Sequence, residues 1–200
     1  MKHAIIIAHP NPRSLTRSAG DAYADAVGVL DHDVLFRDLY AMDFDPRLRA
    51  EEIPQLKMPT PRPDVVEERA LLQDVDVFAF VYPFWFNAPP AILKGYVDRV
   101  FSMGFGYGPT IGGTEPLLDG RRLISFSFSG ASDQWVQETG ALTALASMFD
   151  RHVAKMCGLQ VIDHVHTGGI VPNMNEDAVE AVLARVHEVV ARRFGPTADV

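Results

Sequence analysis

Four short apolar runs, at residues 4–8, 75–82, 123–128 and 159–165, stand out from a chain that elsewhere spaces its apolar residues helically. Three of the four are continuous rather than alternating, as strands covered on both faces of a parallel sheet are. A weaker fifth run, residues 33–39, mixes charges in and predicts an edge strand. Between the runs, residues 15–30 set Leu15, Ala19, Ala22, Tyr23, Ala26 and Leu30 on one side of a helix. Residues 65–75 follow Pro63-Asp64, with Asp64 as the expected N-cap. Pro89 and Pro90 open a helix through Phe101, since proline suits the first turn. Its buried face is Leu93, Tyr96, Val97, Val100 and Phe101. A fourth helix is expected over residues 135–156, and a fifth over 176–194, stopped by Gly195-Pro196. Strand alternating with helix five times predicts an α/β doubly wound parallel sheet with helices on both faces, one domain over residues 1–200. Two long loops, at 43–62 and 109–120, interrupt the pattern, and loops of that length in a compact domain tend to be functional.

In such sheets ligands bind at the carboxyl ends of the strands, so the segments after the apolar runs carry the candidate chemistry. The first, His9 to Ser18, is a proline-stiffened turn that leads hydroxyls and backbone N–H groups into a helix N-terminus. That arrangement suits a phosphate; it equally suits a plain cap by Ser14 or Thr16. The second, Tyr82-Pro83-Phe84-Trp85-Phe86-Asn87-Ala88-Pro89-Pro90, sets three consecutive aromatics in a loop. Large rings there ask for a flat partner, such as a planar cofactor, or else staple onto the next helix or meet another subunit. The third, Ser127-Phe128-Ser129-Gly130-Ala131-Ser132, is small enough for backbone to approach a ligand, or is an ordinary strand-to-helix turn. No Gly-x-Gly-x-x-Gly, Walker lysine motif or Gly-x-Ser-x-Gly elbow is present. His164 and His166 alternate on a strand and share a face without a third metal ligand, so no metal is expected. Cys157 reads as a buried thiol, and Glu51-Glu52 as solvated surface.

Composition narrows the classes. The 200 residues carry 18 Lys plus Arg against 26 Asp plus Glu, a formal net charge of −8. Such a balance argues against nucleic-acid binding and gives no polybasic anchor for anionic lipid. A single cysteine cannot close an intramolecular disulfide. The first ten residues hold a continuous run of only five apolar ones before His9-Pro10, too few for a signal-peptide core or a membrane span. A cytoplasmic protein without membrane insertion is expected.

Longer motifs point to a family. Pro89-Pro90-Ala91-Ile92-Leu93-Lys94-Gly95-Tyr96-Val97-Asp98-Arg99-Val100-Phe101, followed by Gly104-Phe105-Gly106-Tyr107, resembles the flavodoxin-like NAD(P)H:quinone oxidoreductases. Asp38-Leu39-Tyr40-Ala41-Met42-Asp43-Phe44-Asp45-Pro46 and Cys157-Gly158-Leu159-Gln160-Val161 are similar too. The resemblance implies a sheet of order 2-1-3-4-5, non-covalent FAD or FMN, and NAD(P)H as co-substrate. It implies that His9, Ser14, Leu15, Thr16 and Ser18 surround the flavin phosphates, and that Pro83, Phe84, Trp85, Phe86 and Asn87 hold the ring system. Ser127, Phe128, Ser129 and Gly130 would flank its pyrimidine side, with backbone donors near Trp85, Phe86, Ser129 and Gly130. Tyr107 matches a substrate-pocket tyrosine that reaches across a homodimer, and Trp135 lines the same pocket. Trp135 and Ala141 stand where animal relatives carry a Tyr and a His that stabilise charge on the reduced flavin, so no catalytic residue is assigned and the proton must come from water or another donor. The implied activity is ping-pong hydride transfer from NAD(P)H to a quinone. The alternatives are a regulatory subunit of a potassium-efflux transporter, an azo, nitro or flavin reductase, or a small electron carrier.

Overall fold

A computed structural model describes residues 1–54 and 58–196. The chain runs β1 (Lys2–Ile7), α1 (Leu15–Val29), β2 (Asp33–Asp38), α2 (Pro63–Leu71), β3 (Val77–Pro83), α3 (Ala91–Val100), β4 (Tyr107–Thr110), β5 (Gly113–Pro116) and β6 (Arg122–Phe128). It continues through α4 (Asp133–Glu138), α5 (Ala141–Leu145), α6 (Arg151–Cys157), β7 (Gln160–Thr167) and α7 (Glu176–Phe194). Five parallel strands form one sheet in the order β2-β1-β3-β6-β7, which is 2-1-3-4-5 when only its own strands are counted.

The continuous apolar runs have a direct cause. On β3, Phe78, Phe80 and Tyr82 face one core with α2, α3 and α6, while Val77, Ala79 and Val81 face another with α1 and α7. Both faces are dry, so neither parity is polar. The core on the α3 side is built of rings, Phe78 and Phe80 packing edge-on against Phe101 with centroids 5.0 and 6.0 Å apart. Gly95 lets residues 45–47 lie against α3, since a Cβ there would sit 2.2 Å from the Pro46 carbonyl oxygen.

Several local expectations are corrected. Asp64 does not cap α2; Arg62 occupies that position, Pro63 fills the first turn, and Asp64 turns to Arg99. The helix expected over 135–156 is broken, because Gly140 adopts a left-handed φ of 70° between α4 and α5, and a π turn over Ala146–Asp150 precedes α6. Residues 109–120 are not all loop, for β4 and β5 pair antiparallel. The 43–62 segment contains a 3-10 turn at Ala50–Glu52, and its residues 55–57 lie outside the described ones. Glu52 is buried against Arg99 rather than solvated. Among the described residues no helix is long and apolar enough to cross a membrane.

Candidate active site

The carboxyl ends of β1, β3 and β6 bring the three candidate loops to one edge of the sheet. After β3, Trp85 and Ala88 exchange backbone hydrogen bonds of 3.1 and 3.0 Å, closing a two-residue turn. Its central residues, Phe86 and Asn87, take left-handed φ of 49° and 57°. Turns of the I′ kind require this, yet a bulky Phe holds it only at a cost. The Phe86 ring is fully exposed, and Trp85 and Trp135 are half exposed. A strained turn presenting rings to solvent is a feature of ligand clamps.

Across from it lies the turn after β6. Phe84, Phe86, Asn87, Ser129, Gly130, Ala131, Trp135 and Val136 line a cleft of about 370 Å³ between the two turns. That volume falls in the usual range for small-molecule and cofactor sites. Among the described residues, no hydrogen bond engages the backbone N–H groups of Phe86, Asn87 and Gly130. The N–H groups of Trp85 and Ser129 are committed, to Ala88 and Thr167, so two of the four expected backbone donors are not free.

The third loop, after β1, is pinned by its own side chains. Asn11 N–H donates to His9 Nδ1 at 3.0 Å and Arg13 N–H to Asn11 Oδ1 at 2.9 Å. His9 therefore carries its proton on Nε2, and burial lowers its pKa, so it is a neutral donor. Ser14 caps α1 by accepting from Arg17 N–H at 3.2 Å. The N–H groups of Leu15 and Thr16 have no partner among the described residues, and no acidic residue occupies the first turn. Two unclaimed donors at the positive end of a 15-residue helix suit an anion. The His9 and Trp85 rings, with centroids 5.6 Å apart, join this loop to the aromatic turn.

The remaining candidates are placed differently. Pro83 ends β3 in the core, Thr16 is buried, and Ser18 Oγ turns back to the Ser14 carbonyl at 3.4 Å. Leu15 packs toward the α1 core rather than outward. Phe128 is buried on that same side, and Ser127 is buried among His164 and His166, so neither side chain faces the cleft. Ala141 is buried at the start of α5. Tyr107 lines a separate cleft of about 190 Å³ with Phe101, His152 and Cys157, and its own chain does not bring it to Trp135. Burial pushes the Cys157 thiol up to about 12.

A family model described as a flavodoxin-like fold matches residues 1–190. The chain belongs to this flavodoxin-like family. An uncharacterized NAD(P)H oxidoreductase of Haemophilus influenzae is 33% identical over 174 residues, 85% of this chain and 85% of its own length. NAD(P)H dehydrogenase (quinone) 1 of Cavia porcellus is 27% identical over 186 residues, 83% of this chain and 68% of its own. Among solved structures, an NAD(P)H:quinone oxidoreductase from Methanothermobacter marburgensis superposes with a TM-score of 0.86 at 27% identity, covering 95% of this chain and 97% of that one.

Inspection of the sequence found His164 and His166 but gave them no partners. The structure supplies Asp150 and three serines of β6 and the turn after it, brought together by strand register rather than by spacing. Among the described residues, no group of three or more His, Cys, Asp or Glu is placed to hold a metal ion.

Proposed function

We propose that the chain is a flavin-dependent oxidoreductase that passes hydride from NAD(P)H to quinones, the two substrates occupying one cleft in turn. The observation that carries this reading is the strained Phe86–Asn87 turn facing Gly130 across a cleft with unclaimed backbone donors on both walls. Named relatives with NAD(P)H and quinone activities support it. The residues fit a flavin: Phe86, Asn87 and Gly130 N–H groups would hold the edge of its ring, and Leu15 and Thr16 N–H groups with His9 would hold its phosphate. When bound, the flavin supplies the ring system that accepts and returns a hydride. Phe84, Trp135 and Val136 give the cleft an apolar lining from which a bound ring would displace water, strengthening each hydrogen bond inside it.

A homodimer belongs to the same reading. Tyr107 stays out of the cleft within its own chain, and Phe86, Ile111 and Met148 expose apolar surface suited to a second copy. A reducing compartment such as the cytoplasm suits a chain whose one cysteine is a buried, unpaired thiol.

Purified protein is expected to be yellow, and mass spectrometry of the released pigment assigns it as FMN or FAD. Steady-state turnover of NADPH with a benzoquinone is expected to give parallel double-reciprocal lines. Intersecting lines count against one shared cleft, and a colourless protein that stays apo after incubation with both coenzymes overturns the assignment.

A further inference from the structure

A file of hydrogen bonds runs beneath the cleft through side chains the proposed function leaves unused. Ser125 Oγ donates to Asp150 Oδ1 at 2.7 Å, and Asp150 Oδ2 pairs with His164 Nδ1. His164 Nε2 and His166 Nδ1 both meet Ser127 Oγ, each at 2.8 Å. His166 Nε2 then meets Ser129 Oγ at 3.0 Å, and Ser129 Oγ lies 2.9 Å from the Ala131 carbonyl. Asp150, Ser125, Ser127 and His166 are buried. One end of the file, Ser129, lines the 370 Å³ cleft. Both imidazoles also line a second cavity of about 180 Å³ with Asp133, Gln137 and Arg185, which gives them a route outward on the other side of Val136.

Strand register builds this file. A bulge between Leu123 and Ile124 shifts β6 against β7, so that Ser125 pairs with His164 and Ser127 with His166. Without that shift the parity of β7 reverses, and both imidazoles turn toward the α7 core.

The hydrogens can be counted in two ways. In the first, Ser129 donates to His166 Nε2, His166 Nδ1–H to Ser127, Ser127 to His164 Nε2, and His164 Nδ1–H to the Asp150 carboxylate. In the second, Ser129 donates to the Ala131 carbonyl and the three bonds between Ser129 and His164 reverse, those to Asp150 keeping their direction: His166 Nε2–H points to Ser129, Ser127 to His166 Nδ1, and His164 Nε2–H to Ser127. His164 is then an imidazolium against Asp150. The second arrangement holds one more proton than the first, and the same heavy-atom positions serve both.

We propose that His164, Ser127, His166 and Ser129 form a proton relay, anchored by Asp150, that delivers to the cleft the one proton each quinone reduction consumes. The proposal rests on the reading of the cleft given above. In delivery the Ser129 O–H bond breaks toward an oxyanion in the cleft, and Ser129 Oγ takes the proton of His166 Nε2. His166 Nδ1 takes the hydroxyl proton of Ser127, and Ser127 Oγ takes the proton of His164 Nε2. One charge leaves His164 and one proton reaches the substrate, with no electrons moved along the file. Reloading draws a proton from solvent through the second cavity. The groups facing the imidazoles are Asp150 from the π turn, Asp133 from α4, Arg185 from α7 and Tyr82 from β3, whose buried hydroxyl has no partner among the described residues. Burial chiefly, with His164 and Arg185 adding and Asp133 opposing, lowers the pKa of His166, so that ring passes a proton on rather than keeping it.

The test is Ser127→Ala, which removes the link between the rings. With NADPH and a benzoquinone, kcat/KM for the quinone is expected to fall roughly tenfold, below the usual scale of general-acid assistance. kcat/KM for NADPH, whose half-reaction needs no proton from the file, is expected to change less than twofold, a split that general damage to the fold does not produce. In the unaltered protein, ¹⁵N spectra of the imidazoles are expected to show His166 exchanging between its Nδ1–H and Nε2–H forms, and the rate in H₂O–D₂O mixtures to curve as several protons in flight require. A His166 ring fixed in one tautomer, or a variant with the quinone kcat/KM and isotope response of the parent, overturns the relay while leaving the quinone reductase reading intact. A parent protein with no quinone turnover overturns that reading instead, and the ring spectra then decide the relay alone.

Discussion

Arg99, buried, and His164, part-buried, both lie against carboxylates on the same side of the sheet, and the networks around them differ in kind. All three guanidinium nitrogens of Arg99 are bonded: to Glu52 at 2.9–3.1 Å, to Asp64 at 2.7 and 3.0 Å, and to the Asp45 carbonyl at 2.6 Å. A guanidinium keeps its protons at any accessible pH, so each of these bonds has one direction. The cluster fastens α3 to α2 and to the 45–52 segment, and no hydrogen bond from its guanidinium can reverse. The histidine file is made of hydroxyls and imidazoles, groups that donate and accept by turns. Its heavy atoms are equally fixed, but its hydrogens have two arrangements. Burial of polar groups thus serves two ends in one molecule: a clamp where the donors are permanent, and a conduit where they are exchangeable.

The largest effect is expected at Arg99→Met, which leaves Glu52 buried without its counter-charge; a loss of about 3–5 kcal/mol should appear in urea unfolding. The same variant should flatten the acid limb of stability. Hydrogen bonding from Arg99, chiefly, holds the Asp64 carboxyl below its ordinary 3.8. Its contribution is therefore complete above that value and is lost as pH falls through the lower, folded one. Ser127→Ala should cost less, about 1–2 kcal/mol for polar partners left short of a bond, with its main signature in quinone kinetics. Phe86→Gly should stabilise the apoprotein by up to about 1 kcal/mol in thermal unfolding, because glycine relieves the left-handed strain at an exposed position. It should also weaken retention of the pigment, measured by dialysis. The smallest effect belongs to Lys94→Ala, which breaks an exposed pair with Asp98 and should change stability by less than about 0.5 kcal/mol.

The strands of the sheet were legible because burial on both faces leaves an unbroken apolar run, a property of single segments, whereas their order came only with the resemblance carried by the longer motifs. The cleft was legible in outline for a related reason: Phe84, Trp85 and Phe86 are conspicuous in a loop whatever surrounds them. What could not be read depends on partners distant along the chain. Glu52 looks like any surface acid until Arg99, 47 residues away, is folded against it. His166 needs Ser127, 39 residues earlier, and a bulge whose one-residue shift decides which way it points. Gly140 gave too little local signal, since a glycine within an otherwise helical spacing is compatible with a continuous helix as well as with the break observed.

Val136 lines both the 370 Å³ cleft and the 180 Å³ cavity. On the proposed reading, hydride donor and acceptor would use the first of these spaces and protons the second. Val136→Ala or Val136→Gly would then join the two spaces and let water reach the cleft by the proton's route.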